Sequence, residues 1–441
     1  MLHLSVLTNA TTDGITNNVN SLWLMVAAAL VLLMTPGVAF FYGGMVRAKS
    51  VISMMMMSFG AMGLVGVLWI IYGYGMSFGG GKDWLITGFL LNPFHDLFLT
   101  NEINAAKGTL SATGSQWMNL DIHGLAFAGF QATFAIITVA LISGAIADRA
   151  KFGAWMVFAG VWVTLVYFPV ASWVFNFTAG PKGLTDGGWS VFGLGVNDFA
   201  GGTAVHINAG AAGLALALVL GKRVGFAKGM AKPHNVPFTL LGAALLWFGW
   251  FGFNAGSEGA ADGISALAWI NTLVAPAAGI LGWLIVERIK DGKPTSIGAA
   301  SGAVAGLVAI TPACNILTPG WAIVLGILVG VVCAFAIDLK FKLGFDDSLD
   351  VVGIHLIGGL VGTLYIGIFG AGIGLVDSGS FKQLGAQALG AFGVMIYSFV
   401  LAFVIGTIIQ KTMGFRITNE DEVAGVDSIV HGEEAYSNET V

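Results

Sequence analysis

The residues best placed to do chemistry are two histidines, His206 and His355, each in the middle of a long apolar segment. No other Asp, Glu, Lys, Arg or His lies so deep inside such a segment. A polar group at membrane depth is costly and usually faces a cavity or a pathway, so the pair is the first candidate for a functional site. An apolar environment favours neutral imidazole, which donates from one nitrogen and accepts at the other. Two such rings in contact could line a path for a small neutral molecule and relay a proton.

Two other interpretations of the histidines remain open at this point. They could be satisfied core histidines that stabilise a helix crossing. They could also belong to a metal site, although neither has a Cys, Asp or Glu one helical turn away. We therefore expect neither a metal nor a cofactor.

The surroundings of the two histidines match each other. Asp198 precedes His206 by eight residues, and Asp347 precedes His355 by eight. Glycines follow the two histidines at equal offsets: Gly210 and Gly213, and Gly359 and Gly362. The matched positions predict an internal repeat.

The composition sets the class of protein that must position these residues. Of 441 residues, 56% are hydrophobic and 10% are charged, and the mean hydropathy is +0.85. The 65 glycines suit close approach of helices in lipid. The net charge of −5 is spread over loops and termini, so no nucleic-acid partner is expected. The sequence therefore predicts an all-α polytopic membrane protein, with the lipid bilayer as its surroundings.

Eleven apolar segments are long enough to cross a bilayer. The first twenty residues contain no Lys or Arg and so lack the basic region of a secretory signal; we interpret 1–20 as an extracellular segment that stays on the chain. The predicted spans are 21–45, 51–77, 122–147, 152–175, 199–220, 238–257, 264–286, 296–316, 319–337, 350–370 and 386–410.

Basic residues predict the orientation, because cytoplasmic loops retain Lys and Arg. Fifteen of the 19 fall in alternate loops and the tail, and only Lys82, Lys107, Lys182 and Lys382 fall on the other side. This places the N-terminus outside and the C-terminus in the cytoplasm. We expect the protein to lie in the plasma membrane of the cell. The fifteen are Arg47, Lys49, Arg149, Lys151, Lys222, Arg223, Lys228, Lys232, Arg288, Lys290, Lys293, Lys340, Lys342, Lys411 and Arg416.

The histidines fall on the fifth and tenth spans, so each half contains five. Because five is odd, the two halves must run through the membrane in opposite directions, and a site at their interface is typical of transport folds. The expected organisation is a transmembrane domain over 21–411, with repeats at about 21–220 and 238–370, a peripheral eleventh helix at about 386–410 and a cytoplasmic tail at 412–441.

Several long motifs resemble the ammonium transporter family, in the branch of bacteria, archaea and plants rather than the Rhesus branch. They extend from about residue 21 to Tyr436 in the family's order. The resemblance implies a homotrimer in which each protomer holds its own pore. The motifs are TPGVAFFYGGMVRAKS, DFAGGTAVHINAG, GKRVGFAKGMAKPHNVPF, WFGWFGFNAGS, GLVAITPACNI and DDSLDVVGIHLIGG.

The resemblance also assigns roles to individual positions. It implies that His206 and His355 are the family's twin pore histidines, that Phe134 and Phe253 form its phenylalanine gate, and that Trp250 lines the pore. Its outer recruitment site for ammonium or methylammonium falls on Phe130, Phe134 and Ser257, and its acidic residue at the outer end of the fifth span falls on Asp198. We expect Asp198 to cap the helix rather than to bind the ion directly.

One position departs from the family pattern. Where the family's outer site has a tryptophan, in a Pro-x-Ala-x-x-x-Trp string, this chain has Phe175. Trp173 lies two residues away, which on a helix turns its side chain by about 200°. We therefore expect Phe175 to occupy the outer site and to bind a cation more weakly than tryptophan would.

The tail and the class of activity complete the expectations. Residues 412–441 resemble the family's regulatory tail, which adjoins the surface where P-II-type nitrogen-signalling proteins dock.

An ammonium transporter or channel is the first hypothesis, with the net charge carried left open, and an ammonium receptor with little flux is the second. An enzyme is not expected, because the spans contain no paired carboxylates, Ser/His pair or metal constellation.

Overall fold

The computed structural model describes residues 2–79, 83–102, 122–177, 187–226 and 232–436, with side chains from Thr16 onward. The predicted outer-loop residues Lys82, Lys107 and Lys182, the basic-loop residue Lys228 and the last five residues of the tail lie outside these ranges.

The protein is an all-α polytopic membrane protein with two inverted five-helix repeats and an eleventh helix, as the sequence predicts. Within the described residues, ten helices are long and apolar enough to cross a membrane, and the eighth is a shorter apolar helix. The eleven helices are α1 Leu2–Met45, α2 Val51–Phe78, α3 Gly124–Ile146, α4 Phe152–Phe175, α5 Gly202–Leu220, α6 Val236–Gly256, α7 Gly263–Lys290, α8 Ser296–Ile310, α9 Pro319–Leu343, α10 Val352–Phe369 and α11 Lys382–Thr412.

Three predicted boundaries differ from the structure by six residues or more, and one of them is the end of the ninth helix, at Leu343 instead of residue 337. The first helix begins at Leu2, well before the predicted start at residue 21. The eighth ends at Ile310 instead of residue 316, since Pro312 has no N–H to continue the helix and restricts the residue before it. The chain then turns, and the Asn271 side chain on α7 donates hydrogen bonds of 2.8 Å to the backbone oxygens of Cys314 and Leu317.

Within the described ranges, the two strands form a short hairpin after α2, and Ala150 and Arg416 form an isolated antiparallel bridge. The strands of the hairpin, β1 Trp84–Ile86 and β2 Leu90–Leu91, pair antiparallel.

The first helices of the two halves pack closely along each other. A Cβ atom on Gly242 of α6 would lie 2.1 Å from the backbone nitrogen of Phe41 on α1, and one on Gly252 would lie 2.7 Å from the backbone oxygen of Ala27. Small residues let two helical backbones approach in this way where lipid supplies no hydrophobic driving force. The contact joins the two repeats.

The tail packs against the loops that follow α1, α3 and α5. The backbone N–H of Ile417 donates to the oxygen of Arg149 at 3.0 Å, and that of Val224 donates to the Glu422 carboxylate at 2.8 Å. The N–H of Asp427 donates to the oxygen of Lys49 at 3.1 Å. We call this end of the molecule the tail face. The opposite end, where α6 ends beside Ser257, is the mouth face.

Candidate functional site

The two histidines lie in equivalent, irregular turns at the starts of α5 and α10. His206 belongs to a π-helical turn, Gly202–Ile207, and His355 to another, Val352–Leu356. Both side chains are buried, with 1% and 3% of their surface exposed. A π-helical turn is rare and often marks a functional position, because its extra residue redirects a side chain.

Asp198 caps the first of these turns. Its carboxylate accepts hydrogen bonds from the backbone N–H groups of Gly201 at 2.9 Å, Gly202 at 2.6 Å, Thr203 at 2.7 Å and Ala204 at 3.2 Å. The Thr203 hydroxyl donates to it as well. These groups have no partner within the helix, and a carboxylate at a helix N-terminus also interacts favourably with the helix dipole. The buried carboxylate is thus occupied by the helix.

Asp347 caps the second turn in the same way but less completely. Its carboxylate accepts from the backbone N–H groups of Val351 at 3.1 Å and Val352 at 2.7 Å. The Lys340 ammonium donates to the backbone oxygen of Asp347 at 3.1 Å and forms an ion pair with Asp350. Burial raises the pKa of Asp347 to about 6; the Lys340 charge opposes this rise and the Asp350 charge adds to it.

The glycines that follow the histidines let the two helices cross at the level of the rings. A Cβ on Gly210 of α5 would lie 2.5 Å from the backbone nitrogen of Leu356 on α10. A Cβ on Gly359 of α10 would lie 3.2 Å from the Cβ of His206 on α5. Each helix therefore uses its own glycine to make room for the residues around the other's histidine.

The two imidazoles are in direct contact. Their Nδ1 atoms lie 3.3 Å apart, and their ring centroids are 5.4 Å apart at an interplanar angle of 25°. Because a hydrogen bond needs one donor and one acceptor, the neutral rings must hold opposite tautomers at this contact. Among the described residues, the Nε2 atom of His206 is buried and has no hydrogen-bond partner. It is available to a small polar molecule.

Aromatic rings continue from His206 towards the mouth face. Trp250 stacks beside His206 with centroids 5.3 Å apart, and its indole N–H is fixed by a 2.8 Å hydrogen bond to the Thr311 hydroxyl. Next come Phe253 and Phe134, whose rings are nearly parallel, with centroids 4.2 Å apart and an angle of 14°. The stacked pair separates two cavities.

One cavity surrounds the histidines. It is narrow, with a volume of about 10 Å³, and is lined mainly by apolar side chains, together with both imidazoles, Trp250 and Phe253. Tyr42 also lines it, and its hydroxyl donates to the backbone oxygen of Leu141 at 3.1 Å. Such a lining solvates a neutral molecule far better than an ion.

The second cavity opens on the mouth-face side of the phenylalanine pair. It has a volume of about 20 Å³ and is lined by Phe130, Phe175 and Ser257, among others. Phe134 contacts the first two rings, with centroids 4.8 Å from Phe130 and 6.1 Å from Phe175. The Ser257 hydroxyl donates to the backbone oxygen of Phe253 at 2.8 Å, which leaves its lone pairs for a donor.

Trp173 takes no part in this cavity. Its indole N–H donates to the backbone oxygen of Phe89 at 2.7 Å, and its ring packs against Trp189 and Tyr397. Phe175 therefore has the position beside Phe134.

Two polar residues near the mouth cavity were not identified from the sequence, because only ionisable residues inside the spans were considered. Gln131 lines the cavity, and its buried side-chain oxygen has no partner in the described part of the chain. Glu258 lies between two lining residues, Ser257 and Gly259, and burial followed by the charge of Asp262 raises its pKa to about 7. Gln131 could have been found as the polar residue that interrupts the apolar third span; Glu258 lies just beyond the sixth.

Comparison with known proteins identifies the family. The model of the Ammonium Transporter Family matches residues 22–436.

The chain belongs to the ammonium transporter family.

Relatives and solved structures agree with this assignment. A Mycobacterium tuberculosis (strain H37Rv) protein named ammonium transporter is 51% identical over 440 residues, covering 96% of this chain and 91% of the relative. A Bacillus subtilis ammonium transporter is 43% identical, covering 95% and 98%. The crystal structure of Saccharomyces cerevisiae Mep2 is similar with a TM-score of 0.83 at 32% identity, covering 96% and 92%. A structure titled Sensor Amt Protein has a TM-score of 0.83 at 29% identity, covering 95% and 99%.

Because the chain belongs to this family, its class of protein is known. It is a multi-pass membrane protein of a transporter family and not an enzyme. Within the described ranges, no group of three or more His, Cys, Asp or Glu residues is arranged to hold a metal ion.

Proposed function

We propose that this chain carries ammonium nitrogen across the membrane by recruiting the ammonium ion at the mouth cavity, releasing its proton to solvent water at the mouth and conducting ammonia past the histidine pair. The observation that carries the proposal is the 3.3 Å contact between His206 and His355 in an apolar cavity behind a stacked phenylalanine pair. That arrangement suits a small neutral molecule with both donor and acceptor capacity.

Recruitment is supported by the lining of the mouth cavity. Phenyl faces attract a cation, and a hydroxyl oxygen accepts from an ammonium N–H; each contact contributes about 1–2 kcal/mol when partly desolvated. Phe130 and Phe175 supply the rings that line the cavity, Phe134 lies against both of them, and Ser257 supplies the hydroxyl. Methylammonium retains three N–H donors and fits the same description.

Deprotonation follows from the cost of moving a charge past the gate. The stacked rings of Phe134 and Phe253 offer an ion no hydrogen-bond partner, so a bare cation would lose far more hydration energy than the mouth returns. Ammonia crosses at much lower cost. Beyond the gate, the free Nε2 of His206 can hydrogen bond to it.

The decisive experiment is uptake of radiolabelled methylammonium by liposomes that contain the purified protein. We expect saturable uptake by the wild type and a loss of at least about tenfold in His206→Leu, which removes the polar contact but keeps an apolar side chain of similar bulk. His123→Leu is the control, since His123 lies at the start of α3 on the mouth face, away from the histidine pair. Unchanged uptake by a folded His206→Leu variant would return the pair to a structural role.

A sensor with little flux is the second candidate, favoured by the similarity to the chain titled Sensor Amt Protein. The same liposome experiment separates the two. A sensor would bind methylammonium at the mouth, detectable by quenching of tryptophan fluorescence, without uptake above that of empty liposomes.

We also propose that the protein is a homotrimer in the cell membrane, with its N-terminus outside and its tail face in the cytoplasm. The basic loops and their contacts with the tail at Arg149, Val224 and Lys49 support this orientation. Mass spectrometry in mild detergent should find three copies. The tail face would dock a P-II-type protein, and deletion of residues 413–441 should abolish co-elution with it.

A further inference from the structure

The eleventh helix makes polar contacts with the polypeptide on both sides of the His206 turn. On the N-terminal side, the side-chain amide of Gln387 pairs with the backbone of Asn197. Its Oε1 accepts from the Asn197 N–H at 2.7 Å, and its Nε2 donates to the Asn197 oxygen at 2.8 Å. Asn197 immediately precedes Asp198, the carboxylate that caps the turn.

The same amide also contacts the helix that carries the other histidine. Nε2 of Gln387 donates to the backbone oxygen of Thr363 on α10 at 3.1 Å, and Oε1 accepts a second bond from Gln383 at 3.0 Å. Gln387 is fully buried, and all four of its hydrogen-bonding positions are filled. Its single amide thus joins the segment leading into His206 to the helix that contains His355.

A second contact lies on the C-terminal side of the turn. The Ser398 hydroxyl, also fully buried on α11, donates to the backbone oxygen of Asn208 at 2.8 Å. Asn208 is the residue at which the π-helical turn ends and regular helix begins. The eleventh helix therefore holds the polypeptide at both ends of the turn that aims the His206 ring.

We propose that Gln387, assisted by Ser398, is a positioning residue for the histidine pair, so that the eleventh helix sets the separation of the two imidazoles. Neither side chain touches the cavity around the histidines; both act on the backbone that carries His206. A side chain that only filled space could satisfy neither the N–H nor the oxygen of Asn197, and burying such groups unpaired is costly. The inference rests on the proposed function, in which the histidine contact conducts.

The test measures uptake of methylammonium per folded protein in liposomes for variants of α11. Gln387→Met keeps length and bulk but removes all four hydrogen bonds. We expect its maximal rate to fall roughly tenfold, because sub-ångström errors in aligned groups are expensive. Its half-saturation concentration should change less than about twofold, since the mouth residues are untouched. Because uptake is expressed per folded protein, a fraction of unfolded protein would not by itself lower this rate.

A conservative variant and a matched control sharpen the result. In Gln387→Glu a protonated carboxyl group can still accept from and donate to Asn197, so its rate relative to the wild type should recover at pH 5.5, whereas that of Gln387→Met should not. Tyr397→Phe is the control, because the Tyr397 hydroxyl donates to the backbone oxygen of Leu165 on α4 at 2.7 Å and contacts neither histidine helix. Its rate should equal that of the wild type.

The outcomes distinguish this inference from the function on which it rests. If Gln387→Met keeps the wild-type rate while His206→Leu loses it, the positioning role is wrong and the proposed function stands. If both variants transport normally, the proposed function itself is wrong. Should Gln387→Met fail to fold, Ser398→Ala decides: a fall of roughly two- to fivefold against Tyr397→Phe supports positioning, and an unchanged rate overturns it.

Discussion

The two histidine turns have the same chain pattern but are held in place by different chemistry. The segment before His206 is fixed by neutral amide bonds from Gln387, and Asp198 accepts bonds from four backbone N–H groups. The segment before His355 lies among charges: the buried Arg149 guanidinium donates to the Asp346 backbone oxygen and to the Ser348 hydroxyl.

The charged residues around the segment before His355 also connect it to the tail. Arg223 forms an ion pair with Asp346 at 2.8 Å, and the tail reaches the backbone of Arg149 through Ile417. Burial alone would raise the pKa of Asp346, but the Arg223 hydrogen bond and the charges of Arg223 and Arg149 hold it below the usual value. The same local geometry is thus supported by an amide network before His206 and by ion pairs before His355, and the ion-paired segment is the one linked to the tail through Arg149.

The largest expected effect comes from removing the two capping carboxylates. Asp198→Ala leaves four backbone N–H groups and the Thr203 hydroxyl without their acceptor, and should lower the free energy of unfolding by about 3 kcal/mol or more. Asp347→Ala loses two backbone bonds but also removes a buried carboxylate whose raised pKa reports an unfavourable charge, so we expect a loss of about 1 kcal/mol. Thermal unfolding in detergent compares them.

Equal losses in the two alanine variants would contradict this difference between the turns. Asp377→Ala is a suitable control, because its carboxylate lies on an exposed surface turn and accepts from Gly372 at 2.8 Å. It should change the unfolding midpoint little.

A smaller effect is expected from pH at the Asp347 end. The folded pKa of about 6 lies above the ordinary value of 3.8, so between these values the folded chain binds more protons than the unfolded chain. The Asp347 contribution to stability should therefore increase as pH falls through 6, by up to about 1.4 kcal/mol per pH unit, and diminish as pH rises.

Asp347→Asn measures this contribution by difference, since other titrating groups are common to both proteins. Between pH 5 and pH 7.5 we expect the wild type to lose more stability than the variant. The unfolding midpoint of the wild type minus that of the variant should therefore be lower at pH 7.5 than at pH 5. A wild-type-minus-variant difference that is the same at pH 5 and pH 7.5 would show that Asp347 does not titrate in this range.

The smallest effect concerns the mouth face alone. Phe175→Trp offers a better cation–π surface beside Phe134 and should lower the half-saturation concentration for methylammonium uptake roughly two- to fivefold, with the maximal rate unchanged. Trp173→Phe is the control and should leave the half-saturation concentration unaltered. The same or a higher value for Phe175→Trp would mean that Phe175 does not contribute to recruitment.

The sequence was sufficient for the features that follow from local spacing. Hydropathy and the odd number of spans per half predict the eleven-helix inverted repeat, and the interval from Asp198 to His206 predicts its counterpart at Asp347. The end of α8 was predicted too late, because apolar character continues past Pro312 where hydrogen bonding does not.

Contacts between distant segments could not be predicted in this way. Gln387 meets Asn197 across 190 positions of sequence, and nothing in the composition of the last span distinguishes it from a lipid-facing polar residue. The arrangement of Arg149 is similar: a basic residue in a loop predicts a side of the membrane, but its burial against Ser348, 199 positions away, depends on tertiary packing.

Because each histidine lies in a π-helical turn, the eight-residue interval from the capping aspartate to the histidine determines the direction in which the imidazole points. A π-turn contains one residue more than the α-turn it replaces, and each residue of an α-helix rotates a side chain by about 100°. Deleting one residue from the turn Gly202–Ile207 would let the helix continue as a regular α-helix, but the imidazole of His206 would then be rotated by about 100° relative to the helix that follows. The interval from Asp347 to His355 has the same length. An insertion or deletion in either histidine turn would therefore have to be compensated within that turn to keep the imidazole in place.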